Sequence, residues 1–151
     1  MPRKKSLIDL PELPAALAFV RSGKRFLLTS HVNCDGDGVG GCLALQGILR
    51  GLGKSATVIL PDPPDDQYRF LEGWEGIETI GSPSFKAERL VVLDCPALTR
   101  IGKIEEYIGE GTKVLVLDHH QDSLPFGHVN LTTAQASSSS ELVYHLGVAL
   151  G

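Results

Sequence analysis

Acidic and imidazole side chains follow three apolar runs of this chain, each at the point where the run ends. The run over 113–117 leads into an aspartate and two histidines, and the runs over 26–30 and 90–93 lead into further aspartates. The acidic and imidazole side chains that follow the ends of these runs are His31, Asp35, Asp37, Asp94, Asp118, His119 and His120. If the runs are parallel strands, these groups meet at the edge where open α/β sheets bind ligands. Carboxylates crowded so closely require a cation or raised pKa values, so the sequence predicts a metal centre.

The donor types indicate which cation and which reaction to expect. Hard carboxylate oxygens with a few imidazoles suit manganese or magnesium, and zinc or cobalt can also bind such sets. The loop from His31 to Asp37 can present three side chains, because Gly36 and Gly38 give it freedom to fold tightly. Asp94 enters from a neighbouring strand end, where it can bridge two ions ~3.5–4 Å apart. Such a pair favours hydrolysis of phosphate esters by a water that the metal activates.

A glycine pattern in the same loop offers a different interpretation. Residues 36–41 match G-x-G-x-x-G after a predicted strand, and Asp62 stands where dinucleotide-binding folds carry a ribose-binding acid. However, a phosphate cradle presents amide N–H groups, and the carboxylates of Asp35 and Asp37 would repel a pyrophosphate unless a cation lay between them. We therefore expect a metal site here rather than a nicotinamide site.

The elements that must position these residues can be read from the apolar periodicity. It predicts strands and helices in alternation, joined by short loops. The predicted strands cover 25–30, 55–60, 77–80, 89–93, 113–117 and 129–131, of which the third is marginal and the last a short edge strand. The predicted helices cover 11–21, 39–52, 65–71, 98–108 and 138–150, the last opened by the capping-box pattern of Ser138 and Glu141. This alternation indicates an α/β fold, with a mostly parallel sheet of about five strands and helices on both faces.

Length and composition suit one ordinary globular domain. The chain has 151 residues, of which 42% are hydrophobic and 21% charged. Its formal net charge of −4 argues against a nucleic-acid binder held by a broad basic face. The charge does not exclude a phosphate-bearing substrate, because divalent cations would reverse the local field. An odd count of three cysteines and the absence of a membrane-length apolar run lead us to expect a cytoplasmic protein without membrane contact.

Four segments of the chain match a known family, and they cover residues 28–41, 92–94, 118–120 and 139–144. Together they resemble the N-terminal domain of the DHH-family phosphoesterases, in particular the oligoribonuclease and 3′-phosphoadenosine-5′-phosphate phosphatase branch. The resemblance implies two Mn²⁺ ions, with Mg²⁺ or Co²⁺ as substitutes. The implied ligands are His31, Asp35 and Asp94 for the first ion and Asp37, Asp94 and His119 for the second. It also implies that His120 contacts the scissile phosphate and that Asp118 orients the neighbouring imidazoles.

The chain also departs from the family pattern. Cys34 and Gly41 stand where the family has proline and serine, and a fourth acidic motif and a basic, glycine-rich second domain are absent from residues 1–151. We therefore expect a metal-binding domain without its substrate-binding domain, C-terminally incomplete and weak or inactive alone. The expected substrate is a phosphate-bearing small molecule or a short single-stranded oligonucleotide.

Other functions remain open at this point. Within the same chemistry they are a cyclic-dinucleotide phosphodiesterase, a pyrophosphatase and an exopolyphosphatase. A non-catalytic metal-binding or regulatory module is the alternative from a different class. Outside the predicted centre, we expect structural roles for His128 and His145, cap and turn roles for the serines 137–140, and unreactive thiols at the cysteines.

Overall fold

The apolar runs of the sequence form the strands of one parallel sheet. In the computed structural model, which describes residues 6–81 and 85–151, the strands are β1 Arg25–Thr29, β2 Ser55–Leu60, β3 Glu78–Thr79, β4 Arg89–Leu93, β5 Lys113–Asp118 and β6 Val129–Thr132. Their order is β3-β2-β1-β4-β5-β6, and every neighbouring pair is parallel. The predicted α/β fold with a mostly parallel sheet is confirmed, with six strands rather than about five.

The strand order reverses between β1 and β4, which are neighbours in the sheet although β2 follows β1 along the chain. On either side of such a switch point the connections leave in opposite directions, so a crevice opens at the carboxyl ends of the two strands. His31 follows β1 and Asp94 follows β4. The topology therefore places these two residues on the two sides of the crevice.

Three α-helices cover one face of the sheet: α1 Leu13–Ser22, α2 Gly36–Gly51 and α3 Ser139–Leu150. Helix α2 begins three residues before the predicted start at 39, because Asp35 caps it. The Oδ1 atom of Asp35 accepts the backbone N–H groups of Asp37 and Gly38, at 3.1 and 3.2 Å. Among the described helices, none combines the length and the apolar character needed to cross a bilayer.

The opposite face carries 3₁₀ turns instead of the α-helix predicted over 98–108. Leu98–Arg100 and Gly102–Tyr107 are 3₁₀ segments, and Gly102 has a left-handed φ of 56° that α-helical geometry does not accept. The buried side chains of Ile101, Ile104 and Tyr107 recur every three residues, which is the period of a 3₁₀ helix. This three-residue spacing was the feature of the sequence that could have indicated a 3₁₀ helix. These residues pack on the sheet as the predicted helix would have done, so helical turns cover both faces.

Candidate metal centre

The carboxyl ends of β1, β4 and β5 bring together the side chains that the sequence singled out. His31 Nε2 lies 3.6 Å from Asp94 Oδ2, and His119 Nε2 lies 3.5 Å from Asp94 Oδ1. The Nδ1 atom of His120 lies 3.8 Å from the same Oδ1. The side chain of Asp94 is only 2% exposed. We call the assembly of His31, Asp35, Asp37, Asp94, Asp118, His119 and His120 the candidate metal centre, or simply the centre, and Asp94 lies at its middle.

Two groups of ligand atoms around Asp94 fit a cation each. His31, Asp35 and Asp94 offer ligand atoms that all lie within 4.8 Å of one another, and so do Asp94, His119 and His120. The first group coincides with the ligands implied for the first ion. The second contains His120 where the resemblance implied Asp37, whose Oδ2 lies 3.7 Å from His119 Nε2. Because both groups share Asp94, its carboxylate is placed as a bridge between two ions would be.

The backbone of Asp94 is held in an unusual conformation. Its φ is 54°, and its N–H donates to the carbonyl of Leu117 at 2.9 Å, which ties it to the end of β5. Among the described residues, Asn33 is the other non-glycine residue with positive φ, and its N–H donates to Asp62 Oδ2 at 2.8 Å. Aspartate and asparagine tolerate this region better than other side chains. Such residues gather at functional sites, and here both border the crevice.

Crowding of carboxyl groups makes the centre electrostatically unfavourable without a cation. Burial, reinforced by the carboxylates of Asp37 and Asp35, raises the pKa of Asp94 to about 8. Burial also raises the pKa of Asp35, but hydrogen bonds from Gly38 and Asp94 outweigh it and hold that pKa below its usual range. Asp94 therefore carries a proton at neutral pH while Asp35 is ionised. A divalent cation fits this arrangement, since it replaces the proton and compensates the carboxylates.

Asp118 holds the ring of His120. Asp118 is fully buried at the end of β5, and its Oδ1 accepts a hydrogen bond from His120 Nδ1 at 2.6 Å. Donation from Nδ1 leaves Nε2 as the ring nitrogen that can accept a proton or bind a metal. His31 is oriented in the same manner, because its Nδ1 donates to the carbonyl of Val32 at 2.6 Å and its Nε2 faces Asp94. Asp118 thus has the contact that an orienting residue needs.

The first turn of α3 supplies contacts that the sequence analysis missed. The backbone N–H groups of Ser139 and Ser140 donate to Oδ2 and Oδ1 of Asp37, both at 2.8 Å. The hydroxyl of Ser139 donates to Asp94 Oδ1 at 3.3 Å. The predicted cap is present as well, because Ser138 Oγ accepts the N–H of Glu141 at 3.1 Å. The available signal was the capping box itself, since a helix N-terminus attracts a carboxylate.

The glycine pattern over 36–41 has no open phosphate cradle. The amides of Asp37 and Gly38, which such a cradle would turn toward a ligand, donate to Asp35 instead. Gly38 is packed so closely that an added Cβ would lie 2.5 Å from Cys34 Sγ. This geometry agrees with a tightly folded metal loop rather than with a dinucleotide site.

Several other polar residues lie outside the centre. His128 Nδ1 accepts the N–H of Val114 at 3.0 Å, and His145 Nε2 lies 3.8 Å from Glu141 on α3, so each has a structural partner. Burial raises the pKa of Cys34 to about 12 and that of Cys95 to about 11. Both thiols therefore stay protonated at neutral pH, and neither belongs to the groups of described residues that fit a metal ion.

Comparison with protein families and curated proteins gives a consistent result. The model of the DHH family, N-terminal domain, matches residues 25–149. The chain is 26% identical over 120 residues to the bifunctional oligoribonuclease and PAP phosphatase NrnA of Bacillus subtilis. It is 32% identical over 127 residues to the protein of that name from Thermus thermophilus. The alignments cover 80% and 82% of this chain but 37% and 36% of those proteins, so the chain spans little more than a third of their length.

Solved structures share the fold. An exopolyphosphatase-related protein from Bacteroides fragilis superposes with a TM-score of 0.84 at 24% identity, over 93% of this chain and 44% of that one. RecJ from Thermus thermophilus, solved in complex with Mn²⁺, gives a TM-score of 0.62 at 23% identity, over 96% of this chain and 21% of that one. At these identities the likeness establishes the fold.

Proposed function

Because the chain belongs to the DHH family of phosphoesterases, we propose that it binds two divalent cations at the metal centre and hydrolyses phosphate esters of short oligonucleotides or nucleotide phosphates. One observation carries the proposal: two groups of ligand atoms meet at the shared, buried carboxyl of Asp94. We propose Mn²⁺ as the cation, with Mg²⁺ or Co²⁺ able to replace it, because the donors are mixed carboxylate and imidazole.

We assign the ligands of each ion as follows. The residues proposed for the first ion are His31, Asp35 and Asp94, and those proposed for the second are Asp37, Asp94 and His119. The geometry favours this division, since Asp94 Oδ2 faces His31 and Asp94 Oδ1 faces His119. When bound, a pair of cations at this position supplies Lewis acidity toward a phosphoryl oxygen and lowers the pKa of a coordinated water.

His120 is proposed to act on the substrate rather than on the cations. Its Nδ1 is engaged by Asp118, so Nε2 is the atom that can hydrogen-bond a phosphate oxygen. The buried carboxylate of Asp118 fixes the ring orientation and stabilises the imidazolium when Nε2 takes up a proton. The partly exposed side chain of His120, 37% accessible, lies where a ligand can reach it from solvent.

The proposed substrate class is based on the curated relatives, and the proposed cellular location is based on the state of the cysteines. The curated relatives are named for oligoribonuclease and PAP phosphatase activity, and this chain covers 37% and 36% of them. We propose that a substrate-binding domain lies in the part of the relatives that does not align with this chain, and that it contributes to turnover. Residues 1–151 by themselves are then expected to hydrolyse the substrate weakly. All three cysteines are thiols rather than disulfides, which supports a cytoplasmic setting.

Calorimetric titration of Mn²⁺ into the chain, paired with a hydrolysis assay, tests the proposal. We expect two ions bound per chain and slow release of mononucleotide from short oligoribonucleotides. Parallel assays use a nucleotide 3′-phosphate, cyclic dinucleotides, pyrophosphate and polyphosphate as substrates. Asp122→Asn, which changes an exposed carboxylate outside the centre, is the matched control and should behave as wild type. Absence of Mn²⁺ binding would refute the metal centre. Tight binding without hydrolysis of any phosphate ester would favour the non-catalytic module.

A further inference from the structure

The carboxyl of Asp94 has to divide its two oxygens between the two ligand groups. Its Oδ2 lies 3.6 Å from His31 Nε2, whereas its Oδ1 lies 3.5 Å from His119 Nε2 and 3.8 Å from His120 Nδ1. A carboxylate that rotates about its Cβ–Cγ bond loses this division. Some group must therefore restrict rotation of the carboxyl if each of its oxygens is to face its own ion site at the same time.

Ser139 is placed to do so. Its side chain is fully buried, and its Oγ donates to Asp94 Oδ1 at 3.3 Å from a position 45 residues further along the chain. The bond involves the oxygen on the side of His119 and leaves Oδ2 directed at His31. The backbone N–H of Ser139 separately donates to Asp37 Oδ2, so the residue contacts carboxyls proposed to serve both the bridge and the second ion.

We propose that Ser139 is a positioning residue for the bridging carboxyl of Asp94, and that its hydroxyl sets the affinity of the centre for divalent cations. The inference rests on the proposed function, because it takes Asp94 to be a metal ligand. Hydrogen bonds to a ligating carboxylate fix the orientation in which it meets the ion, and their loss weakens metal binding by about 10- to 100-fold in well-studied sites.

The neighbouring serines provide matched controls. Ser139→Ala removes the hydroxyl that reaches Asp94 and keeps the backbone N–H that reaches Asp37. Ser138→Ala removes the N-cap bond to Glu141, and therefore weakens the same helix end without touching Asp94. Ser140→Ala removes a bond from Oγ to the backbone carbonyl of Asp37 and again leaves Asp94 in place. The three variants separate orientation of Asp94 from general loosening of α3.

The experiment is a Mn²⁺ titration of the whole chain, followed by calorimetry and by the electron paramagnetic resonance spectrum of bound Mn²⁺, with folding checked by circular dichroism. We expect Ser139→Ala to weaken Mn²⁺ binding by about 10-fold or more and to broaden the electron paramagnetic resonance lines of bound Mn²⁺, while Ser138→Ala stays within about threefold of wild type. Ser140→Ala, whose lost bond reaches only the backbone of Asp37, should weaken binding less than Ser139→Ala does. Ser139→Cys keeps a weaker donor at the same position and should fall between wild type and Ser139→Ala.

The outcomes are distinguishable. If a folded Ser139→Ala variant binds Mn²⁺ with wild-type affinity, the inference is overturned, whereas the proposed metal centre is not. An equal loss in Ser138→Ala and Ser139→Ala also overturns it, because the effect then comes from the helix end and not from Asp94. If the wild-type chain itself binds no Mn²⁺, the proposed function fails, and the inference fails with it.

Discussion

Replacement of Asp94 by asparagine is expected to make the metal-free domain more stable while removing its affinity for divalent cations. Asparagine has nearly the same shape and tolerates the left-handed φ of 54° at this position. The change therefore removes the ionisable group with little disturbance of the backbone. Since its side chain is buried among carboxylates, the native aspartate lowers the stability of the folded domain until a cation binds.

The size of the effect follows from the pKa. Burial and the neighbouring carboxylates raise the pKa of Asp94 from 3.8 to about 8, so the folded chain holds its proton more tightly than the unfolded chain does. The stabilising effect of that proton is complete below pH 3.8 and is lost as the pH rises toward 8. At ~1.4 kcal/mol for each of about three pH units, the loss is on the order of 4 kcal/mol by pH 7. Asparagine cannot ionise in the unfolded chain and avoids this loss.

Urea denaturation in EDTA at pH 5, 7 and 8 measures the difference between wild type and Asp94→Asn. We expect the variant to be more stable, with a gap that widens as the pH rises, whereas Asp122→Asn should show no such trend. Mn²⁺ added in place of EDTA should raise the stability of the wild type and of Asp122→Asn, but not that of Asp94→Asn. A gap that does not change with pH, or a variant less stable than wild type at pH 8, would refute the reasoning, because Asp94 would then be ionised and well paired in the folded chain.

Three further perturbations follow from the same contacts. Gly38→Ala should lower the free energy of unfolding in urea by ~1–3 kcal/mol, because the added Cβ would meet Ser30 Oγ and Cys34 Sγ. Gly40→Ala should instead raise it by ~0.5–1 kcal/mol, because an added Cβ there would meet no described atom outside its own part of the helix within 4 Å. Raising the pKa of Cys34 from 9.0 to about 12 lowers its thiolate fraction at pH 8 on the order of 1000-fold, so Cys34 should react with iodoacetamide correspondingly more slowly in the native chain than in urea. Peptide mass spectrometry measures the two rates, and equal rates would contradict the burial of this thiol. Ser138→Ala should cost ~1 kcal/mol of thermal stability through the lost cap, and an unchanged melting temperature would show that the cap contributes nothing.

The central strands β1, β2, β4 and β5 were predictable because burial on both faces leaves a continuous apolar signature, whereas both residues of β3 are exposed. The predictions over 55–60 and 89–93 coincide with β2 and β4, and the others differ by one or two residues. The helix predicted over 98–108 was wrong in type, since apolar side chains alone do not reveal how tightly the backbone winds. The start of α2 was also misplaced. Its first turn consists of glycines and a ligand-type aspartate, which carry no apolar period, and the cap from Asp35 becomes evident only in three dimensions.

The amino-acid sequence alone determined which side chains gather at the candidate metal centre. Each ends or follows a buried strand, and the carboxyl ends of parallel strands share one edge of a sheet, so position along the chain was enough to place them together. Only the tertiary structure decided how they are held: the protonation of Asp94, the division of its two oxygens, and the bonds from α3 to Asp37 across 102 residues of chain. These depend on how a helix packs against the sheet and on how far water is excluded, and neither is encoded in the spacing of residues along a strand.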